Sequence, residues 1–249
     1  MVDKLDSSLS PSSLAARWRS TAPVIAPSLL LCDFGHLADE IARLEAASVG
    51  SLHLDVMDGH FVPNLTYGLP IVEAVRRLSQ LPIDVHLMIS EPERYAEQFC
   101  QAGANLVTFH VEATAAPRPL LERIRRAGCL AGIALNPETP LSAIEEALDA
   151  CDVVMTMSVH PGFGGQKFET VALEKLRALR GKVAPEVILE VDGGVNTSTI
   201  GKCAEAGAQV FVVGSAIFGH DDYPRRVADL VASAGSLRRT QEDLWSKSC

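Results

Sequence analysis

Two histidines and two aspartates in this chain lie where short apolar runs end. His53 and Asp55 alternate with apolar residues in one run, so they share one face of a strand. His86 lies in a second run, and Asp192 ends a third. Two imidazoles and two carboxylates suit a divalent transition metal such as Zn²⁺, Fe²⁺, Mn²⁺ or Co²⁺, whereas imidazole disfavours Ca²⁺ and Mg²⁺. We therefore predict one such ion per chain; the alternative is a buried His/Asp network that only positions loops.

Glycine-rich segments follow the last three apolar runs. They are Gly162-Phe163-Gly164-Gly165, Gly193-Gly194 and Gly214-Ser215. Backbone N–H groups in such loops can point together at an anion, and a helix that begins after the last segment would add its N-terminus. We predict that these segments bind a phosphate group. The alternative for any single glycine pair is a simple turn.

Three of the five methionines stand beside these polar residues, at the ends of apolar runs: Met57, Met88 and Met157. Methionine commonly fills gaps in a core, and core packing is the alternative here. Beside a metal, thioethers could instead form an apolar cover over the reacting carbon and exclude water. We predict that these methionines contact the substrate.

These side chains can converge only if the runs that carry them are neighbouring strands. Eight β-branched runs end near Ser28, Met57, Met88, His110, Leu135, Ser158, Asp192 and Gly214. Amphipathic, helix-like stretches follow at 35–47, 69–79, 92–102, 118–127, 140–149, 168–181, 196–206 and 223–234. Eight βα units with near-continuous apolar strands and no linker predict an α/β fold, a single-domain (β/α)8 TIM barrel, with its chemistry at the carboxyl ends of the strands. A doubly wound open sheet is the alternative, but no G-x-G-x-x-G follows the first run.

The barrel is expected to span residues 22–236. Residues 1–21 are Ser-rich and polar, without the apolar segment of a secretory signal, and predict a flexible N-terminal extension. Residues 237–249 are expected to form a C-terminal tail.

Composition excludes several classes of protein. The net charge of -9 over 249 residues argues against a nucleic-acid partner, which needs clustered Lys and Arg. No stretch approaches the about 18 apolar residues of a membrane helix. The six cysteines are scattered without C-x-x-C spacing, which predicts free thiols in a reducing, cytoplasmic location.

Several long segments of this chain resemble those of the ribulose-phosphate 3-epimerase family. They are Ile25–Phe34, Leu52–Asn64, Asp84–Met88, Met157–Gln166, Glu190–Val195 and Val213–Phe218. The resemblance runs from about Val24 to about Phe218. It implies interconversion of D-ribulose 5-phosphate and D-xylulose 5-phosphate, in the pentose phosphate pathway or a carbon-fixing cycle, by a homo-oligomeric enzyme.

The resemblance also implies roles for individual residues. It gives the metal ligands as His53, Asp55, His86 and Asp192, and the proton acceptor and donor as Asp55 and Asp192. It gives the substrate contacts as Ser28, His86, Gly162 to Gly165, Gly193, Gly194, Gly214 and Ser215. One departure is His160, where the family more often has Asn; we expect this side chain on the loop surface.

The residues and the resemblance lead to one mechanism. A divalent metal would stabilise the enediolate formed when the C3 proton leaves, and Asp55 and Asp192 would act on opposite faces of that carbon. Two alternatives share the motifs or the fold: a 3-epimerase of D-allulose 6-phosphate, and a non-catalytic barrel that binds sugar phosphates. A decarboxylase of the orotidine-phosphate type is disfavoured because no D-x-K-x-x-D string ends a strand.

Overall fold

Eight parallel strands form the centre of the molecule, in a computed structural model that describes residues 10–246, with side chains to residue 235. They are β1 (Val24–Pro27), β2 (Leu52–Met57), β3 (Ile83–Met88), β4 (Leu106–His110), β5 (Leu130–Leu135), β6 (Val153–Met157), β7 (Ile188–Asp192) and β8 (Val210–Val213). The strands pair in the order β1-β8-β7-β6-β5-β4-β3-β2, and a parallel bridge between Ser28 and His53 joins β1 to β2. The predicted (β/α)8 barrel is confirmed.

Helices connect the strands on the outside of the barrel. The α-helices are α1 (Pro11–Thr21), α2 (Leu37–Ala46), α3 (Leu69–Leu78), α4 (Pro92–Gln101), α5 (Pro117–Arg126), α6 (Val171–Arg180), α7 (Ile200–Glu205), α8 (Ser215–Phe218) and α9 (Tyr223–Ser246). Short 3₁₀ helices cover Leu29–Leu31, Phe34–His36, Val111–Ala113, Leu141–Ala143 and Glu145–Ala150. Among the described helices, none is long and apolar enough to cross a membrane.

The alternation of side chains along each strand separates two environments. In β2, Leu52, Leu54 and Val56 belong to the apolar core between the strands and the helices. His53 and Asp55 are turned to the barrel interior, where both are almost completely buried. Each strand therefore uses one face for stability and leaves the other to line the barrel, where polar residues can meet.

The amino end of the barrel is closed by α1. Leu14 and Trp18 of this helix are 1% exposed and pack with inward residues of the strands. This contact explains a difference from the flexible extension expected for residues 1–21: residues 11–21 bury apolar side chains and are helical, while residues 1–9 lie outside the described part of the chain. Helix α9 likewise continues through most of the expected tail, to Ser246.

The segment between β5 and β6 differs from the expected helix 140–149. It forms two 3₁₀ helices, Leu141–Ala143 and Glu145–Ala150. The fully buried residues are Ile144, Ala147 and Ala150, which recur every third position. A 3₁₀ helix has three residues per turn, so this spacing keeps all three on one face.

The five described cysteines agree with the prediction of free thiols. Cys32, Cys100, Cys129, Cys151 and Cys203 are all free and buried. Burial raises the pKa of Cys203 to about 12, so this thiol is not ionised at neutral pH.

Candidate active site

The four predicted metal ligands meet at the carboxyl end of the barrel. Asp55 and His86 are register partners on the neighbouring strands β2 and β3, and Asp192 ends β7. One ligand atom from each of His53, Asp55, His86 and Asp192 lies within 4.8 Å of all the others. Nδ1 of His86 is 3.1 Å from Oδ1 of Asp55 and 3.7 Å from Oδ2 of Asp192. The sequence prediction that these four side chains converge is confirmed.

The donor atoms of this cluster fit a divalent cation. Nε2 of His53 is buried and makes no hydrogen bond to any described residue, although Oδ1 of Asp55 lies 3.3 Å away. The other ring nitrogen, Nδ1, is 2.6 Å from Oδ2 of Asp84. A carboxylate at Nδ1 holds a proton there, so Nε2 is the ring nitrogen that a metal would take, as is usual for a histidine that binds a metal. Together with two carboxylates and a second imidazole, this is a ligand set for a transition metal.

A third imidazole, that of His110, lies directly behind His86. Nε2 of His86 is 2.8 Å from Nε2 of His110, and Nδ1 of His110 is 3.1 Å from Oε2 of Glu112. Burial lowers the pKa of His110 to about 4, so this ring is neutral at pH 7. Burial opposes ionisation of Glu112, but hydrogen bonds from His110 and Thr139 outweigh it and lower the pKa of Glu112 to about 2.

The two aspartates of the cluster differ in protonation. Burial disfavours a charge on Asp55, but the adjacent imidazoles of His53 and His86 outweigh it and hold the pKa of Asp55 well below its usual range. Burial, followed by the negative charge of Asp55, raises the pKa of Asp192 to about 6. Asp55 is therefore ionised, while Asp192 exchanges a proton near neutral pH. The hydroxyl of Ser28 donates a 2.5 Å hydrogen bond to Oδ2 of Asp55 and orients it.

Below the cluster, the barrel interior stays polar for another layer. Asp84 and Glu190 are fully buried, and both carboxylate oxygens of Glu190 lack a hydrogen bond to any described residue. Burial and the negative charge of Asp84 raise the pKa of Glu190 well above its ordinary value, which keeps this group neutral. Of these two carboxyl groups, Asp84 is the one in hydrogen-bond contact with His53.

A cleft opens above the cluster. It is lined by all the predicted substrate contacts except the buried His86, namely Ser28, Met57, Met88, Met157, Gly162, Phe163, Gly164, Gly165, Gly193, Gly194, Gly214 and Ser215, together with Asp55 and Asp192. Among the described residues that line the cleft, none is Lys or Arg. An anion in this cleft would therefore be held by backbone N–H groups rather than by a cationic side chain.

Gly194, in the loop after β7, occupies a position where no larger residue fits. Gly194 has φ +58°, and a Cβ there would lie 2.6 Å from the backbone nitrogen of Phe168. Only glycine lets the loop after β7 approach the loop after β6 this closely. A side-chain bond also organises the β6 loop, because Nε2 of Gln166 donates to the carbonyls of His160 and Phe163.

Sequence reasoning missed several residues of the site. Leu30 and Leu31 line the cleft from the 3₁₀ helix after β1, and Gln166 lines it from the β6 loop. Asp84 could have been found, because it lies two residues before His86 on the same inward face. His160 is on the surface as expected: its side chain is 64% exposed, with Nδ1 3.6 Å from Oε2 of Glu138.

Comparison with solved structures supports the fold. A mutant tryptophan synthase alpha-subunit from Pyrococcus furiosus superposes with a TM-score of 0.64 at 16% sequence identity, covering 86% of this chain and 98% of that one. At this identity the likeness concerns the barrel alone.

Comparison with known sequences identifies the family of the chain. The profile of the Ribulose-phosphate 3 epimerase family matches residues 24–218. The chain is 50% identical over 217 residues to the ribulose-phosphate 3-epimerase of Mycobacterium tuberculosis (strain ATCC 25618 / H37Rv), covering 86% of this chain and 94% of that protein. It is 44% identical over 213 residues to the protein of that name from Bacillus subtilis (strain 168), covering 84% and 98%. The chain therefore belongs to the ribulose-phosphate 3-epimerase family, which comprises isomerases that act on carbohydrates.

Proposed function

We propose that this chain catalyses the metal-dependent epimerisation of a ketose phosphate at C3, interconverting D-ribulose 5-phosphate and D-xylulose 5-phosphate. The observation that carries the proposal is the convergence of two imidazoles and two carboxylates, from His53, Asp55, His86 and Asp192, at the base of a cleft walled by glycine loops. Metal ligands and an anion site in one cleft suit a substrate that has both a polarisable carbonyl and a phosphate.

The four converging side chains would hold one divalent transition metal, Zn²⁺, Fe²⁺, Mn²⁺ or Co²⁺. When bound, this ion supplies Lewis-acid stabilisation of the negative charge that develops on the substrate oxygens. The chain contributes imidazoles fixed in the ligand form, with Asp84 holding the proton of His53 on Nδ1.

Inversion at C3 needs two groups that exchange protons with opposite faces of the carbon. A proton α to a carbonyl is weakly acidic, and the group that removes it from one face cannot return it to the other without moving across the sugar. Asp55, which is ionised, would accept the proton in one direction, and Asp192, whose pKa of about 6 lets it take up and release a proton close to neutral pH, would deliver one. In the reverse direction the two aspartates exchange roles.

The remaining lining residues would orient the substrate and keep water away. Backbone N–H groups of the loops after β6, β7 and β8 would bind the phosphate at the end of the cleft. Met57, Met88 and Met157 are nearly fully buried beside the ligands and would cover the reacting carbon. Bound at one end by its phosphate, the sugar would present C3 to the two aspartates.

Metal analysis combined with an activity assay tests the proposal. Purified protein should contain roughly one transition-metal ion per chain and convert D-ribulose 5-phosphate to D-xylulose 5-phosphate. The His86→Ala variant should lose both the metal and the activity while keeping its circular dichroism spectrum. The matched control is His36→Ala, since the His36 side chain is exposed and its partner is the exposed Asp33. Full activity of metal-free wild-type protein after chelation would refute the metal-dependent reaction.

The identity of the sugar requires a separate comparison. We expect a higher kcat/KM for D-ribulose 5-phosphate than for D-allulose 6-phosphate, and very low turnover of unphosphorylated ribulose. A reversed order of the two phosphates would assign the chain to the second sugar, and no turnover of either would indicate a non-catalytic binding protein. Homo-oligomer formation stays a prediction, which light scattering of the purified protein checks.

A further inference from the structure

A row of hydrogen bonds continues from the ligand cluster into the barrel wall. It runs from His86 to His110 at the end of β4, and from there to Glu112 in the following 3₁₀ helix. Glu112 in turn bonds the loop after β5, through Asn136 and Thr139. Both imidazoles are fully buried. The proposed reaction assigns His110 and Glu112 no step, so their placement needs another reason.

The direction of the hydrogen bonds in this row follows from a backbone N–H group at its far end, that of Asn136. The N–H of Asn136 can only donate, and it donates to Oε1 of Glu112 at 2.8 Å. Thr139 donates its hydroxyl to the same oxygen. The second oxygen of the ionised carboxylate also accepts only, so Nδ1 of His110 must carry the proton in the 3.1 Å bond between them.

The same reasoning shows which nitrogen of His86 carries a proton towards His110. With its proton on Nδ1, neutral His110 offers a lone pair at Nε2, because two N–H groups cannot face each other at 2.8 Å. Nε2 of His86 must therefore donate. The two rings meet at their edges, since their nitrogens are 2.8 Å apart while their centroids are 4.9 Å apart, with planes inclined by 24°. Phe61 packs against the ring of His110 at 4.9 Å between centroids and restrains it.

We infer that Glu112, acting through His110, is a positioning residue that keeps a proton of His86 on Nε2, so that Nδ1, which lies 3.1 Å from Oδ1 of Asp55, is the nitrogen that gives up its proton to the divalent metal. The inference rests on the proposed function and deepens it. Nδ1 is the nitrogen that faces Asp55 and Asp192, at 3.1 Å and 3.7 Å. Asp84 has the corresponding role for His53 through a single direct bond, whereas His86 is controlled across an intervening ring.

The Glu112→Gln variant tests this inference with almost no change in shape. The glutamine oxygen must face the N–H of Asn136 and the hydroxyl of Thr139, so the amide NH₂ faces His110. Nδ1 of His110 then has to accept, its proton moves to Nε2, and His86 receives that bond at its own Nε2. His86 then keeps a proton only on Nδ1, where it blocks the metal. The control is Glu138→Gln, since Glu138 is 63% exposed and its contact is with the exposed His160.

Two measurements decide the outcome. Nitrogen-15 NMR of the histidine rings should show the His110 proton on Nδ1 in the wild type and in Glu138→Gln, and on Nε2 in Glu112→Gln. Zn²⁺ titration against a chromophoric chelator should give Glu112→Gln an affinity 10- to 100-fold below wild type, the loss typical when the partner of a ligating histidine is changed. The inference requires both results. Unchanged proton positions, or Zn²⁺ affinity equal to that of Glu138→Gln, would overturn it.

The same experiment separates this inference from the proposed function. If wild-type protein loaded with Zn²⁺ fails to epimerise ketose phosphates while Glu112→Gln shows both expected changes, the function is refuted and the inference is supported. If wild-type protein epimerises D-ribulose 5-phosphate while Glu112→Gln binds Zn²⁺ normally, only the inference is refuted.

Discussion

Asp55 and Asp192 have the same side chain in opposite electrostatic settings. Two imidazoles surround Asp55 and stabilise its negative charge, whereas Asp192 has fewer compensating partners and lies next to that charge. Burial and neighbouring charges thus make one carboxyl group suited to accept a proton and the other suited to deliver one. The difference is a property of this cluster, because neither aspartate differs from the other in its chemistry.

Removing either carboxylate should stop inversion. Asp55→Asn and Asp192→Asn are each expected to lower kcat at least about 10²- to 10⁴-fold, the usual effect of losing a general acid or base, and more where metal binding also falls. Assays in D₂O should show wild-type product carrying solvent deuterium at C3. Each variant should still exchange the C3 proton of one epimer with solvent without inverting it. Product that retains the substrate's own C3 hydrogen would contradict the two-aspartate mechanism and indicate transfer by one group.

At the scale of elements, the loops after β6 and β7 depend on each other through one glycine. A methyl group at Gly194 would collide with the backbone of Phe168 at 2.6 Å, and its φ of +58° disfavours other residues. Gly194→Ala should therefore displace the loop that contributes to the proposed phosphate site. We expect KM for D-ribulose 5-phosphate to rise about tenfold or more, in line with about 1–2 kcal/mol of left-handed strain and lost contacts.

The control for this substitution is Gly68→Ala, because a methyl group at Gly68 meets no atom within 4 Å. Steady-state kinetics of both variants check the prediction. A large fall in kcat with unchanged KM in Gly194→Ala would contradict the assignment of this loop to phosphate binding.

Another pair of loops, after β2 and β3, is joined by Asp58. Its carboxylate accepts 2.8 Å hydrogen bonds from the backbone N–H groups of His60, Phe61 and Ser90. Partial burial opposes the charge, but these bonds outweigh it and lower the pKa of Asp58 to about 2. A depressed pKa means that the stabilisation is present above the unfolded-state pKa of about 3.9 and is lost as the pH falls towards 2.

Asp58→Asn should therefore reduce the free energy of unfolding by about 1 kcal/mol at pH 7, a value moderated by solvent near this loop. The difference between wild type and variant should stay constant from pH 7 to pH 5 and fall to about half at pH 3. Urea unfolding at these pH values measures it. A difference that does not change between pH 6 and pH 3 would show that the charge of Asp58 contributes nothing.

For the whole molecule, the apolar layer inside the barrel and the polar cluster lie at opposite ends of the barrel interior. Helix α1 covers the amino ends of the strands, where Trp18 packs on an apolar layer formed by inward residues such as Leu106 and Val153. The ligand cluster and the cleft lie at the carboxyl ends. Changes under α1 should thus alter the free energy of unfolding without altering the site.

Trp18→Ala provides this test. Loss of a fully buried tryptophan should lower the free energy of unfolding by about 3–5 kcal/mol, with kcat and KM unchanged in the folded protein. Trp18→Phe should cost much less, because Nε1 of Trp18 makes no hydrogen bond to the described residues and the ring volume is mostly kept. Urea unfolding and steady-state kinetics measure both effects. A folded Trp18→Ala protein with altered kcat would contradict the separation of the two ends.

The amino-acid sequence by itself determined the features that depend on local spacing. Alternation along β2 was enough to predict that His53 and Asp55 face the barrel interior, since the side chains of a strand repeat every two residues. Eight βα units predicted the barrel, and the barrel in turn predicted that strand ends and glycine loops from distant parts of the chain would meet.

Only the tertiary structure decided which atom of each candidate ligand faces the proposed metal site. That choice depends on partners remote in sequence: Asp84 lies 31 residues from His53, and Glu112 bonds a loop 24 residues further along the chain. Such bonds depend on the register of neighbouring strands and on side-chain packing, which leave no periodic trace in a sequence. Burial of Trp18 under the barrel is decided in the same way, because a short amphipathic segment gains its stability from the surface on which it packs.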